Sequence, residues 1–306
     1  MSVPSGFSPF DSDDVVAEIT RPYSLYHPAL QIVPVVVDVP HAGRHYPPAF
    51  VEKARLPLRS LRRSEDAYVD RLFANCIALG APLLVAEFPR AYLDVNREPY
   101  ELDPRMFEGR LPAFANTRSM RVAGGLGTIP RIVGDAHEIY FGRIPVEEAL
   151  SRIDGLYRPY HAGLRGLVQR TQGAFGTCIL VDAHSMPSSG LDRDGVAKSD
   201  VILGDRFGTS AGGHIIDVAE EAFRKLGLTV TRNRPYAGGF ITEHYGAPAA
   251  GVHALQIEIN RALYMNETTL EPHAGFVELE RAIGSAMADC FARWSGWLDE
   301  WREAAE

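Results

Sequence analysis

Five short runs of aliphatic and β-branched residues punctuate the chain: Ile32–Val37, Leu83–Ala86, Cys178–Val181, Val201–Leu203 and Ala254–Ile259. They are mostly apolar rather than cleanly alternating, the pattern of strands buried on both faces of a mainly parallel sheet. Between them the apolar positions recur at helical spacing. Ser60 to Leu79 carries Leu61, Ala67, Val69, Leu72, Phe73 and Ile77, and Pro145 to Gln172 carries Ile153, Leu156, Tyr157, Tyr160, Leu164, Leu167 and Val168. Pro159 inside the second stretch predicts a kink or a break into two helices. A third helix is expected from Ser210 to Leu226, stopped by Gly227. The last runs from Leu270 to Trp301, with Phe276, Ile283, Met287, Phe291, Trp294 and Trp297 as its stripe. Strands alternating with helices predict an α/β fold, with a central mainly parallel or mixed sheet and helices on both faces. No repeat, low-complexity tract or linker divides residues 1–306, so a single domain is expected.

One segment breaks the rhythm. Arg105 to Arg143 holds six glycines, two prolines and arginines at 105, 110, 118, 121, 131 and 143. That is too long for an ordinary connection and reads as a structured excursion over a site, with a mobile surface loop as the alternative.

Composition narrows the class. Hydrophobic residues make up 46% of the 306 and charged residues 23%, which excludes a disordered or fibrous chain. Thirty-one basic against 39 acidic residues give a net charge of −8, an argument against a nucleic-acid partner. A small anionic ligand stays compatible, because a few arginines in one cleft can set the local field. The three cysteines, Cys76, Cys178 and Cys290, are far apart in apolar surroundings and read as buried free thiols. The first residues lack a basic and an apolar signal region, and no apolar run reaches membrane-spanning length. A cytoplasmic protein with no membrane partner is therefore expected, its oligomeric state open.

The chemistry is concentrated just after the apolar runs. Ile32–Val37 is followed by Asp38-Val39-Pro40-His41-Ala42-Gly43, and Cys178–Val181 by Asp182-Ala183-His184-Ser185. Leu83–Ala86 leads to Arg90 and then Asp94-Val95-Asn96-Arg97, and the last run carries Glu258 and Asn260-Arg261. In parallel α/β sheets ligands bind beyond the carboxyl ends of the strands, so these groups should converge on one crevice. Two strand-end histidines suggest a shared metal, and a catalytic zinc needs a third ligand, commonly a carboxylate, plus an open position. His41 and His184 are the histidine candidates. Glu65 or Asp66 is the carboxylate, although acidic residues also suit a helix first turn. Asp38 and Asp182 are candidates to orient the imidazoles, and His45 falls in a Tyr-Pro-Pro turn nearer the rim. No nucleophile elbow, P-loop or dinucleotide fingerprint is present.

The blocks VPHAG, SEDAYVD, FPRAYLDVNREPYELDP, GLGTIPRI, VDAHSMPS, GDRFGTSAG and LQIEINRALYMNE, from about Val35 to Glu267, together resemble the N-formylglutamate amidohydrolase family, also called N-formylglutamate deformylase. VDAHSMP and FPRAYLDVNRE are the most specific. The resemblance implies a phosphorylase/hydrolase-like fold shared with zinc carboxypeptidases and aspartoacylases. Those relatives carry His-x-x-Glu after the first strand, an Asp-x-Asn-Arg segment, a second strand-end histidine and a late glutamate. Asp94–Arg97, His184 and Glu258 fit that order, but Arg44 stands where the glutamate would be.

The resemblance therefore implies zinc held by His41, Asp66 and His184, with Asp66 preferred over Glu65. Glu258 would be the general base and acid, and Arg90 the group facing the oxyanion. Asn96 and Arg97 would take the substrate α-carboxylate, a surface ion pair of Arg97 with Glu98 or Glu101 being the alternative. Arg131 or Arg261 would take a second carboxylate. The implied reaction is hydrolysis of N-formyl-L-glutamate to glutamate and formate, in histidine degradation. The competing readings are a deacylase of other N-acyl amino acids, such as N-acetylaspartate, and a non-catalytic binder of an acidic small molecule.

Overall fold

The computed structural model describes residues 15–134, 136–191 and 199–305, without the side chains of 190–191 and 297–305. The Trp297 side chain, and the N-terminal stretch read above for signal character as far as residue 14, lie outside what is described. Seven strands form one sheet: β1 Tyr23–Tyr26, β2 Val35–Val39, β3 Leu83–Ala86, β4 Cys178–Met186, β5 Val201–Gly204, β6 Val230–Arg232 and β7 Val252–Asn260. Their order across the sheet is β1-β3-β2-β4-β7-β5-β6. The pairs β3/β2, β2/β4, β4/β7 and β5/β6 are parallel, whereas β1/β3 and β7/β5 are antiparallel, so the sheet is mixed. The two edge strands escape the sequence pattern because they are short and only partly buried.

The nine-residue strands β4 and β7 form the centre, and both are buried throughout. Successive side chains alternate between faces. On one face Ile179, Val181 and Ala183 join Leu255, Ile257 and Ile259 under helices α3 (Gly213–Lys225) and α4 (Gly275–Ala305). There Ile215, Phe223, Ile283, Met287 and Trp294 complete one core. The other face changes character along its length. Cys178, Leu180 and Ala254 pack with Tyr160, Leu164 and Leu167 of α2 (Arg158–Phe175). Farther along the same rows stand Asp182, His184, Gln256, Glu258 and Asn260, all buried. The centre of the sheet is thus mostly apolar on one side, with His253 and Ser185 at the ends of its rows, and polar on the other side towards its carboxyl edge.

Two helical expectations are corrected. The stretch from Ser60 to Leu79 is three short helices, Leu58–Arg62, Val69–Leu72 and Asn75–Ala78. Tyr68 adopts φ 66°, and the Asp66 amide donates to the His41 carbonyl at 2.9 Å, so the chain leaves the helix to bring Glu65 and Asp66 against the end of β2. From Pro145 onward, α1 (Val146–Arg152) passes through a π-helical turn at Ile153–Tyr157 into α2. Pro159 lies in the first turn of α2, where its missing N–H is tolerated. α3 closes into Gly227, at φ 81°. The last helix starts only at Gly275, because Glu271–Pro272 pairs with Met265–Asn266.

The Arg105–Arg143 excursion is structured. Phe107–Glu108 pairs with Ile144–Pro145, Ile132–Val133 with His137–Glu138, and a short helix spans Met120–Ala123. The cysteines are buried and unbridged. Among the described residues, no helix is long and apolar enough to cross a membrane.

Because Ile257 points to the apolar core face, Ile257→Ala should destabilise the protein by about 2–5 kcal/mol while leaving the opposite, polar face in place. Urea unfolding together with metal titration of the folded variant checks both parts.

Candidate active site

Each polar side chain at the carboxyl edge is delivered by a different element. His41 follows β2 in a turn that presses on the end of β3. A Cβ on Gly43 would lie 2.2 Å from the Phe88 carbonyl oxygen and 2.7 Å from that of Ala86, so only glycine allows this approach. Asp66 comes from the turn between the short helices, and His184 from β4. Their exposures are 1%, 1% and 3%, and one ligand atom from each lies within 4.8 Å of the others.

The orientation of the rings is informative. His184 Nδ1 is 2.9 Å and His41 Nδ1 3.3 Å from the same Asp66 oxygen, Oδ2. The outer nitrogens face carboxylates, with His41 Nε2 at 2.8 Å from Asp94 Oδ1 and His184 Nε2 at 2.7 Å from Asp182 Oδ1. His41 Nδ1 is buried without a hydrogen-bond partner. Two inward imidazole nitrogens, one of them without a hydrogen bond, beside a carboxylate oxygen are a donor set that a metal ion could take, and His184 Nε2 also lies 3.1 Å from Asn96 Nδ2. The residues present therefore fit a metal ion.

Asp94, rather than Asp38, is the acceptor behind His41. Asp38 lies one strand position deeper and accepts from the Tyr160 hydroxyl at 3.2 Å. Burial alone would raise the Asp66 carboxyl, but His184, His41 and Arg261 hold it well below the usual carboxylate range. Glu65 faces away, accepting from the Tyr46 hydroxyl at 2.8 Å and from Arg62 Nε at 3.0 Å. Glu258 is the in-register neighbour of His184 on β7 and receives Gln256 Nε2 at 2.9 Å. Burial, above all, pushes its carboxyl up to about 7.

A cavity of about 510 Å³ opens over this cluster, lined by His41, Arg90, Asn96, Arg97, His184, Glu258 and Arg261 among others. The expected cations divide into two kinds. Arg90 Nε donates to Asp94 Oδ2 at 3.0 Å, and its side chain is 28% exposed. Arg97 is more enclosed. It donates to the carbonyls of Asn96 at 2.7 Å and Leu126 at 2.8 Å, and burial lowers its pKa to about 10. Its carboxylate neighbour is Asp94, at 3.5 Å, not Glu98 or Glu101. Asn96 is committed to the scaffold: its Oδ1 accepts from the Ile241 amide at 2.8 Å and its Nδ2 approaches Asp182 Oδ2 at 3.4 Å. Arg261 also turns inward, donating to Asp66 Oδ1 at 2.8 Å, Ser185 Oγ at 3.0 Å and the Arg63 carbonyl at 3.1 Å.

Arg131 is not among the lining residues. It donates to Asp103 at 3.0 Å and to Glu138 at 3.2 Å, away from the cavity. The arginine that the excursion does contribute is Arg121, whose nearest carboxylate, on Glu101, is a loose 3.8 Å away. Arg63, Tyr236 and Gln256 also line the cavity and were not singled out from the sequence. For Gln256 a signal existed, since Gln256, Glu258 and Asn260 alternate with Ile257 and Ile259. Tyr236, alone in a connecting segment, offered none. His45 is not among the lining residues; it is partly exposed and lies 3.1 Å from Glu87.

Comparison with known proteins places this geometry. Residues 33–265 match the family described as N-formylglutamate amidohydrolase. The chain is 28% identical over 270 residues to the N-formylglutamate deformylase of Pseudomonas aeruginosa, spanning 86% of this chain and 94% of that protein. Against the Pseudomonas putida protein of the same description it is 28% identical over 250 residues, 77% of this chain and 83% of the relative. The crystal structure of N-formylglutamate amidohydrolase from Ralstonia eutropha JMP134 superposes with a TM-score of 0.83 at 35% identity, covering 91% of this chain and 99% of that one.

The geometry separates the two neighbouring acids. Asp66→Asn should weaken zinc binding by more than roughly a hundredfold, whereas Glu65→Gln should leave it within a few-fold of wild type. Competition with a chromophoric chelator measures both; the reverse ranking would reject Asp66 as the ligand.

Proposed function

The chain belongs to the N-formylglutamate amidohydrolase family, and on that premise we propose that it hydrolyses N-formyl-L-glutamate to glutamate and formate, a reaction of histidine degradation, at a zinc site of His41, Asp66 and His184. The observation that carries this reading is the orphaned Nδ1 of His41, aimed with His184 Nδ1 at one oxygen of Asp66, with Glu258 on the adjoining strand.

A zinc ion bound there supplies a Lewis acid and lowers the pKa of water. The chain's own groups then do the following. Glu258, at the edge of the cavity, takes a proton from the attacking water at a carboxylate oxygen and delivers it to the leaving amine nitrogen. Its raised pKa suits a group that must both accept and release a proton. Arg90, tethered through Nε to Asp94 and partly open to the cavity, directs its remaining guanidinium donors at the tetrahedral oxyanion. Such a donor is commonly worth about 3–4 kcal/mol. Arg97 presents a buried positive charge to the substrate α-carboxylate, with Asn96 fixing the segment that carries it. Arg121 takes the side-chain carboxylate, in place of Arg131, because it is the excursion's arginine at the cavity wall. Its loose contact with Glu101 leaves it available for a tighter bidentate partner.

Purified protein should contain about one zinc per chain, lose formate release on chelation and regain it with zinc. Glu258→Gln should keep that zinc but lose roughly 10²–10⁴-fold in kcat; a wild-type rate in this variant would assign the proton transfers elsewhere. For specificity, Arg121→Gln should lower kcat/KM on N-formylglutamate by on the order of a hundredfold, yet change the neutral N-formylglutamine little. Equal losses on both substrates would remove Arg121 from carboxylate recognition.

A further inference from the structure

Behind the Asp94–Arg97 segment lies a second cavity, of about 400 Å³, which shares no lining residue with the first. Its size is that of a small-molecule pocket. One wall is Tyr100 and Phe114, whose rings meet edge-on with centroids 4.7 Å apart. The facing residues are Tyr157 and His161, with Phe240 and His244 of the short helix Phe240–Tyr245. The rings of Phe240 and His244 are stacked, 5.0 Å apart at 16°. The first wall is fixed before any ligand arrives: the Asn116 amide donates to the Tyr100 carbonyl at 2.9 Å, and Arg158 Nη2 donates to the Tyr100 hydroxyl at 2.7 Å. Phe114 nevertheless stays 67% exposed, an aromatic ring left facing water.

The polar groups set the charge of a fitting ligand. Arg165, on α2, lines the cavity and is exposed, with no ion-pair partner among the described residues. Burial lowers the His161 imidazole to about 4, and burial together with the Arg165 charge lowers His244, so both rings are neutral at physiological pH. Glu98, the acid among the lining residues, already accepts from Asn116 Nδ2 at 3.1 Å. Flat apolar faces beside an uncommitted guanidinium suit a flat ring that bears a carboxylate.

The lining also joins this cavity to the first. The Tyr157 hydroxyl donates to the Arg97 carbonyl at 2.7 Å, and His161 Nε2 to the Val95 carbonyl at 2.9 Å. Phe240 sits between Gly239, which packs on the Asn96 amide group, and Ile241, whose backbone amide donates to Asn96 Oδ1 at 2.8 Å. We propose that this cavity is a second ligand site, for a planar aromatic carboxylate, and that its occupant alters substrate binding through the Val95–Arg97 backbone. The ring lies against Phe114 and Phe240, and the carboxylate meets Arg165. The coupling rests on the hydrolysis proposed above; the binding site does not.

The probe is indole-3-carboxylate, titrated calorimetrically into the full chain. It should bind with a Kd on the order of 0.1–1 mM. Arg165→Gln and Phe114→Ser should each weaken it roughly tenfold, and Arg121→Gln, in the other cavity, should leave it unchanged. The neutral indole-3-carboxamide should bind about tenfold more weakly than the acid. Equal or tighter binding of the amide, or of phenyltrimethylammonium, would overturn the anionic assignment. Binding lost in Arg121→Gln but kept in Arg165→Gln would put the probe in the first cavity and overturn the second site. A dimer in sedimentation that Phe114→Ser dissolves would give this aromatic face to a second copy of the chain and also overturn it. In steady-state hydrolysis of N-formylglutamate, saturating indole-3-carboxylate should change KM by about fivefold. That change should vanish in Arg165→Gln, whose rate without the probe should match wild type. An unchanged KM alongside measured binding would overturn the coupling. A protein that does not hydrolyse N-formylglutamate would overturn that reaction, while calorimetry would still decide the binding site.

Discussion

A carboxylate can be buried in a protein only where donors or cations replace the water it has lost. Asp66 is the point at which this chain meets that demand, and much of the surrounding structure can be traced from it. At 1% exposure it has the two inward histidine nitrogens on one oxygen and Arg261 on the other. Each of those partners is held in turn: His41 by Asp94, His184 by Asp182, Arg261 by Ser185 and the Arg63 carbonyl. Asp94 is steadied by Arg90, by Arg97 and by its own Asn96 amide. Losing one member would strand a charge in a place that water does not reach, which costs more than the contact itself.

Backbone geometry serves the same demand. The helical pattern of Ser60 to Leu79 is interrupted where Asp66 must reach the end of β2, and Tyr68 takes a left-handed conformation to restart the helix. Gly239 packs so closely on Asn96 that a Cβ would lie 2.3 Å from its Oδ1. The Leu126–Thr128 stretch of the excursion docks on the same segment, through the Leu126 carbonyl to Arg97 and the Thr128 carbonyl to the Asp94 amide. Local propensity gives way here to tertiary contacts, as it does at functional sites generally.

That explains what could and could not be read from the sequence. The central strands and α3 announce themselves, because burial on both faces and a 3.6-residue stripe are written in consecutive residues. The strand-end histidines, Glu258 and the Asp94–Arg97 segment were legible for a related reason: polar residues at the ends of apolar strands have few other places to be. The period-two alternation of Gln256, Glu258 and Asn260 marked the polar face within an otherwise oily strand, although it passes for noise in a continuous apolar run. What stayed hidden depends on contacts distant in sequence. Nothing local shows that Arg131 turns to Asp103 while Arg121 faces the cavity, or that Asp94 rather than Asp38 backs His41. The edge strands were missed because three or four half-buried residues carry too little pattern.

The net charge of −8 says little about the ligand, because the acids and bases are layered. Asp38, Asp66, Asp94 and Asp182 lie deepest, on the floor, among histidines and hydrogen-bond donors. Arg63, Arg90, Arg97 and Arg121 stand around the cavity above them. A small dianion entering this space meets guanidinium groups first, and the low-dielectric walls concentrate their field. These arginines, which on the proposed reading draw a substrate in, also lower the cost of the buried acids beneath it, Arg97 and Arg90 through Asp94 in particular. On the proposed reading recognition and metal binding share residues, and a change at Asp94 would be felt at both the floor and the wall of the site.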